Sequence, residues 1–404
     1  MGLTLIFIAT AAFNPVLSTG PDALPVNPAQ LACPERSGFA CRIFDLDAVL
    51  SNNSFSFGQY NRYTGAYLDS AAKSDILRSI PVNGVSLAGQ ARATAVEFGY
   101  GNIAASARTV GTAEVGLPKD VFDLALNGNA LDRTYLAGNV RARAQVYWRA
   151  GVACATALGP HASVGVGAHR LQGLYYREVT DASASFVTTP SVFASAGKLA
   201  YREATGGSGW AFDAGVAYWV NRWRFSLACL DANTGIAWTD GVKEGFYSFA
   251  LDSGTAYEIG TSNRFSHEHE EIPDGMFVTR LPVTVNIGCA RRISDRLNLG
   301  MLVQPRTGGT GGRAAWSSTA FCEAWPITWL PLGCQIGYRS PTGAVVGLAA
   351  AVLLHKFAVT LGATDIAGLF SSAKGAELRF GVGYATCYVE PQPPPDVLYM
   401  HSDE

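Results

Sequence analysis

Residues 140–154 (VRARAQVYWRAGVAC) alternate without a break. Val140, Ala142, Ala144, Val146, Trp148, Ala150, Val152 and Cys154 share one parity, and all are apolar. Arg141, Arg143, Gln145, Tyr147 and Arg149 share the other. Successive side chains of a strand point to opposite faces, so the segment predicts a strand with one apolar face and one face carrying three arginines. Strands of globular proteins usually run about 5–6 residues, whereas a tilted strand crossing a bilayer needs about 9–11. The run is long enough to span a membrane, with its apolar parity to lipid and its arginines to a lumen.

The same period recurs. Leu281, Val283, Val285, Ile287 and Cys289 alternate with smaller or polar residues, and Leu297, Leu299, Met301 and Val303 follow after a turn at residues 291–296. Leu302 breaks that second pattern. Trp210, Phe212, Ala214, Val216 and Tyr218 oppose Asp213 and Gly215; the chain turns at Asn221-Arg222, and Trp223, Phe225, Leu227 and Cys229 continue. Phe357–Thr364 follows a tight turn at His355-Lys356, and Leu378, Phe380, Val382, Tyr384 and Tyr388 oppose Glu377 and Arg379. Long alternating segments joined by short turns on one side and long polar loops on the other predict an all-β chain, a transmembrane antiparallel β-barrel of about 14 strands. Residues 69–80 and 118–126 carry helix signals instead, each bounded by Pro. They are expected as short helices of the N-terminal part, in loops or lining the lumen.

Composition removes other classes. Charged residues make up 15% of the chain, against about 25% in soluble domains. The net charge of −2 lacks the basic excess of a nucleic-acid binder. No run reaches the roughly 18 apolar residues of a membrane-spanning helix; the best internal one, residues 344–354, ends at His355. Only helices and closed barrels satisfy their backbone in lipid, so a soluble protein or a transmembrane β-barrel remains, and the long alternation favours the barrel. Residues 1–12 read as a signal peptide, with an apolar core and Ala9-Thr10-Ala11 as the small-residue cleavage pattern, or else as a buried N-terminal strand. Residues 13–389 read as the barrel with a plug-like N-terminal segment, and residues 390–404 as a Pro-rich polar tail.

Motifs for chemistry are sparse. The Gly-rich stretch 306–313 (RTGGTGGR) lacks the Lys-Ser/Thr of a phosphate loop, and no G-x-S-x-G elbow is present. None of the eight cysteines forms a C-x-x-C pair; Cys33 and Cys41 are either a bridge or two free thiols. No enzyme activity and no cofactor are expected. His267 and His269 are weak metal candidates, placed by their surroundings in a long exposed loop. The arginines carry more information. Arg92, Arg108, Arg141, Arg143, Arg149 and Arg379, with Gln145, are the lumen-facing candidates. They either select solutes or pair with inward Glu97, Asp213 and Glu377 to fill the pore.

Residues 27–32 (NPAQLA) look like the N-terminal NPA motif of the FadL/PorV-like barrels. Residues 52–67 (NNSFSFGQYNRYTGAY), 75–81 (DILRSIP), 117–126 (LPKDVFDLAL) and 133–135 (RTY), then 206–210 (GGSGW) and 279–282 (TRLP), resemble in order a bacterial outer-membrane family known only as a domain of unknown function. The resemblance implies a FadL-like barrel in the outer membrane of a Gram-negative-type bacterium, surrounded by outer-membrane lipid. It implies a passive channel or transporter for a small hydrophobic solute, its lumen partly closed by the N-terminal segment and the two short helices. The alternative it implies is a PorV-like accessory barrel with a sealed lumen and a secretion-system or periplasmic protein partner.

Overall fold

The computed structural model describes residues 13–34, 38–190, 192–254, 265–307, 315–340, 343–354, 356–364 and 374–385. The expected signal peptide and Pro-rich tail, the His355 turn position, Tyr388 and most of the Gly-rich stretch lie outside the described residues. In chain order the strands are β1 (Phe39–Asn52), β2 (Val85–Tyr100), β3 (Ile103–Leu117), β4 (Arg133–Leu136), β5 (Arg141–Ala157), β6 (Ala162–Thr188), β7 (Phe193–Ala204), β8 (Gly206–Val220), β9 (Trp223–Asp240) and β10 (Lys243–Gly254). They continue as β11 (Phe265–Pro273), β12 (Phe277–Arg280), β13 (Val283–Ser294), β14 (Leu297–Thr307), β15 (Ala315–Ile327), β16 (Leu330–Arg339), β17 (Gly343–Leu354), β18 (Phe357–Thr364) and β19 (Gly375–Ala385).

Fourteen of these close an antiparallel barrel. Its circuit runs β1, β2, β3, β5, β6, β8 and β9, then β13 through β19, and the seam joins β1 to β19 from Ala40↔Ala385 to Ser51↔Gly375. Short turns gather at one rim; at one of them Asn221 adopts φ 51°, a conformation that Asn tolerates. The expected six-residue turn at 291–296 is tighter, because β13 runs to Ser294 and β14 starts at Leu297.

At the long-loop rim the 27-residue β6 outruns the barrel. Its outer half pairs with β4 and β7, β7 with β10, and β10 with β11, so a second sheet projects beyond the wall. Helices α1 (Phe57–Tyr63), α2 (Ser70–Ser79) and α3 (Lys119–Asn127) sit at this rim. Among them only Ile76 is buried, so the helices do not fill the lumen as expected. The residues before β1 do that.

Residues 13–33 carry Pro15, Pro21, Pro25 and Pro28. Each fixes φ and removes a backbone donor, which rules out a continuous helix or a laddered strand. The segment folds instead as three 3-10 turns, Pro15–Leu17, Gly20–Ala23 and Pro28–Ala32, nearly all of it buried inside the barrel. Val16 and Leu17 pack on Ala290, Leu302 and Phe321, while Leu24 and Leu31 pack on Ala104 and Ala153. Leu302, the residue out of step in the sequence, points inward because it is part of the seat for this plug.

Candidate functional site

The lumen holds three tiers. The lowest, toward the short turns, is the plug. Asn27 anchors it: its Oδ1 accepts from Ala29 N at 2.9 Å, capping the third turn, and its Nδ2 donates to Val216 O at 2.8 Å and Ser226 Oγ at 2.9 Å. Asn286 Nδ2 donates to Val26 O at 2.7 Å, and Ser163 Oγ to Ala29 O at 2.7 Å. The wall is cut back to glycine where the plug touches it. A Cβ on Gly165 would lie 2.4 Å from Ala29 N, one on Gly215 2.1 Å from Asn27 Oδ1, and one on Gly333 2.1 Å from the Phe13 ring. Gly99, Gly288 and Gly300 face Pro21, Val16 and Asn14 in the same way.

Above the plug lies a buried charge tier. Arg149 reaches Asp213 Oδ2 at 2.9 Å and Asp231 Oδ1 at 2.6 Å. His169 Nε2 shares the same Asp213 oxygen at 2.7 Å, and Asp231 N donates to the other at 2.8 Å. Asp231 reaches inward because β9 bulges there, with Asp231 and Asn233 at φ 59° and 50°. Across the lumen Arg42 pairs with Asp22 of the plug, with Asp45 at 3.2 Å and with Glu97 at 3.7 Å. Charges this deep are retained only when paired and hydrogen-bonded, so the tier locks wall to plug.

The outer tier is apolar. Val110, Tyr147, Leu171, Tyr176, Ile236 and Trp238 form one buried cluster, with Phe277 and Leu281 against it. Tyr176 meets Trp238 at 5.3 Å and Phe277 at 5.2 Å between ring centroids. Trp238 Nε1 is satisfied by Thr279 Oγ1 at 2.9 Å.

Of the arginines singled out in the sequence, Arg149 and Arg108 are buried and lie directly opposite each other in the β3–β5 register. Arg379 bonds Asp45 at 3.3 Å, Arg92 lies 3.8 Å from Asp47, and Arg143 pairs with Glu178. Gln145 is buried on the same parity as Arg149. Arg141 is exposed where β5 begins, away from the charge tier. Glu97 and Asp213 point inward as read, and Glu377 bonds Arg339 at 2.7 Å. Arg108 has no carboxylate within ion-pair distance among the described residues. His169 and Asp231 escaped the sequence reading. For Asp231 the signal was Asp-Ala-Asn-Thr-Gly (231–235), a turn composition inside a strand.

Residues 265–273 are strand β11, not a loop. His267 and His269 share one face of it. His269 stacks on Tyr247 at 4.2 Å and meets the Tyr201 hydroxyl at 3.2 Å. No group of three or more His, Cys, Asp or Glu suited to a metal occurs among the described residues. Cys33 and Cys41 are both free, the first buried beside the plug and the second half-buried in the wall.

Comparison with known folds agrees with this architecture. The Pseudomonas putida toluene transporter TodX superposes with a TM-score of 0.53 at 11% identity, covering 96% of this chain and 100% of that one. The Ralstonia pickettii toluene transporter TbuX gives 0.51 at 12%, covering 96% and 99%. A Pseudomonas aeruginosa FadL homologue gives 0.55 at 12%, covering 95% and 98%. At these identities the likeness is one of fold. No curated protein matches the sequence. A family model described as a family of unknown function, DUF5723, matches residues 42–200 and 193–364. The chain belongs to this family, on a barrel of the FadL type.

Proposed function

We propose that this barrel sits in a bacterial outer membrane and passes a small hydrophobic solute without chemical conversion. The observation that carries the reading is the apolar tier. A water-filled pore has a polar interior, yet here Tyr147, Tyr176, Trp238 and Phe277 form an aromatic patch inside the wall at its outer end. Its buried rings pack on one another, and the half-buried Phe277 and Leu281 are where an apolar molecule would meet it, drawn out of water at about 25 cal/mol per Å² buried. Beneath it the charge tier and the plug close the way, so passage requires the plug to move. The hydrocarbon transporters of similar fold support this reading. Two measurements test it: single-channel conductance of the refolded protein in a planar bilayer, and uptake of hydrophobic solutes into proteoliposomes. Solute uptake that drops on Trp238→Ala supports it. No uptake above protein-free vesicles, from protein shown to be folded and inserted, refutes it.

A second reading has its own observation. The sheet β6–β7–β10–β11 projects past a lumen that is filled, which suits an accessory barrel holding a protein partner at its rim. Recovery of one stoichiometric partner from mild detergent, together with absent uptake, would favour it.

A further inference from the structure

Glu323 is a carboxylate enclosed by the wall and the plug, and half of it has no partner. It lies on β15 between Phe321 and Trp325 on the same parity, all three buried on the lumen side. One of its oxygens accepts from Asn298 Nδ2 at 3.0 Å. The other, Oε1, has no hydrogen-bond partner, and neither has Asn298 Oδ1. Among the described residues Glu323 forms no ion pair. The cation facing it is Arg292, one strand further along, opposite Asn298 in the β13–β14 register. A charge this deep is retained only when it is paired, so the free oxygen calls for a cation.

The plug begins at this point of the wall. Glu323 stands opposite Asn298 of β14 and Gly333 of β16, and Phe321 stands opposite Gly300 and Gln335. Phe13 lies on Gly333, where a Cβ would come 3.0 Å from the Phe13 Cβ, and its ring packs on Ala351, Leu353 and Ala358. Asn14 lies on Gly300, where a Cβ would come 2.7 Å from its Oδ1, and neither end of its carboxamide has a partner. The backbone from Phe13 to Asn14 therefore crosses β15, from the row of Glu323 to the row of Phe321. The Phe13 nitrogen is two bonds from a Cβ that rests on the register partner of Glu323. Neighbouring strands lie about 5 Å apart, so the Glu323 side chain spans the gap.

We propose that Glu323 receives the α-ammonium that signal-peptide removal creates. Residues 1–12 read as a leader with a small-residue cleavage pattern. Hydrolysis ahead of Ala12 or Phe13 by a signal peptidase consumes one water. It leaves a carboxylate on the departing leader and an α-ammonium on this chain. Until then the same nitrogen is a neutral amide with one hydrogen. An ammonium has three N–H donors, and Glu323 Oε1, Asn298 Oδ1 and Asn14 Oδ1 are three buried acceptors without partners. Capture of an N-terminal amine is a known mode of recognition. Here it makes the seating of the plug's tip conditional on processing. The proposal rests on the export signal and is independent of what crosses the lumen.

The test uses the full chain, purified in mild detergent after export. Its first residue is expected to be Ala12 or Phe13, and a chain that begins at Met1 overturns the proposal. Acylation of the α-amine by an N-hydroxysuccinimide ester is then followed at pH 7. A contacting opposite charge favours the protonated, unreactive amine by about one pKa unit or more. Labelling is therefore expected to be at least about tenfold slower in the wild type than in Glu323→Gln, with Lys119 and Lys243 labelling alike in both. Gln preserves the volume, so the difference reports the charge. A second variant, with Gly-Ser inserted ahead of Phe13, moves the amine and leaves the wall untouched. It too is expected to label at least about tenfold faster. Heat-modifiable migration on gels identifies the folded variants. Equal rates in the wild type and a folded variant overturn the proposal. Solute uptake measured alongside decides the transport reading separately.

Discussion

Asn27 of the plug and Ser226 of β9 meet at 2.9 Å, a contact between residues 199 apart in sequence that ties the chain's start to the middle of the wall. The same amide nitrogen holds Val216 O, and the same side chain caps the turn that follows it. Asn27→Ala removes these bonds together and leaves buried groups unsatisfied, at about 1–3 kcal/mol for each such group. Hydrogen exchange is expected to accelerate across residues 16–32 while the barrel strands stay protected. Unchanged exchange in the plug would show that packing alone holds it.

Gly165→Val is expected to expel the plug. The new side chain meets Pro28 C and Ala29 N, backbone atoms that cannot rotate aside. Conductance should change from closed to open steps, in a barrel that still migrates as folded. Gly362→Ala, whose Cβ would meet its nearest neighbour at an ordinary 3.6 Å, serves as the silent control.

Asp213 serves Arg149, His169 and the Asp231 amide at once. Asp213→Leu leaves Arg149 with Asp231 as its only carboxylate, and breaking a buried pair costs about 3–5 kcal/mol. The thermal unfolding midpoint in detergent should fall. Arg149→Leu added to Asp213→Leu should recover much of the loss, because the uncompensated charge is gone.

The projecting sheet has a different sensitivity. The Tyr201 hydroxyl donates to Glu271 at 2.7 Å and Lys243 Nζ at 3.4 Å, and together they hold the Glu271 carboxyl below the usual range. A depressed folded value means that the contribution is present above the unfolded pKa of about 4.3 and is lost as pH falls through the folded one. Hydrogen exchange in β10 and β11 should therefore quicken below about pH 4, while the barrel strands do not respond. Tyr201→Phe should weaken that acid response.

The barrel was legible because lipid imposes a strict rule. Outward positions inside the lipid-facing band, such as Leu46, Val216 and Phe380, are held apolar, so alternation survives in a single sequence. Asp213 was placed inward by parity alone. The plug was less legible: its contacts are between its backbone and the wall, and Pro28 or Gly165 says nothing of its distant partner. Strand β11 was missed because both its faces meet water, so His267, Glu268, His269 and Glu270 alternate without an apolar face to reveal it. Helix α1 did leave a trace, the Ser56 and Gln59 of a capping box. The bridging of Asp213 by His169 and Arg149 depends on β8 lying beside β6, a neighbourhood that no local pattern encodes.

The glycine collar also bears on assembly. The plug precedes β1, the last seam is β1 with β19, and the wall leaves only backbone-deep clearance around residues 14–29. A finished cylinder offers no such segment a way to thread itself in sideways. The collar is thus a lock cut for one key, and a wall that closes on the β1–β19 seam without the coil is left with a bare, glycine-lined bore.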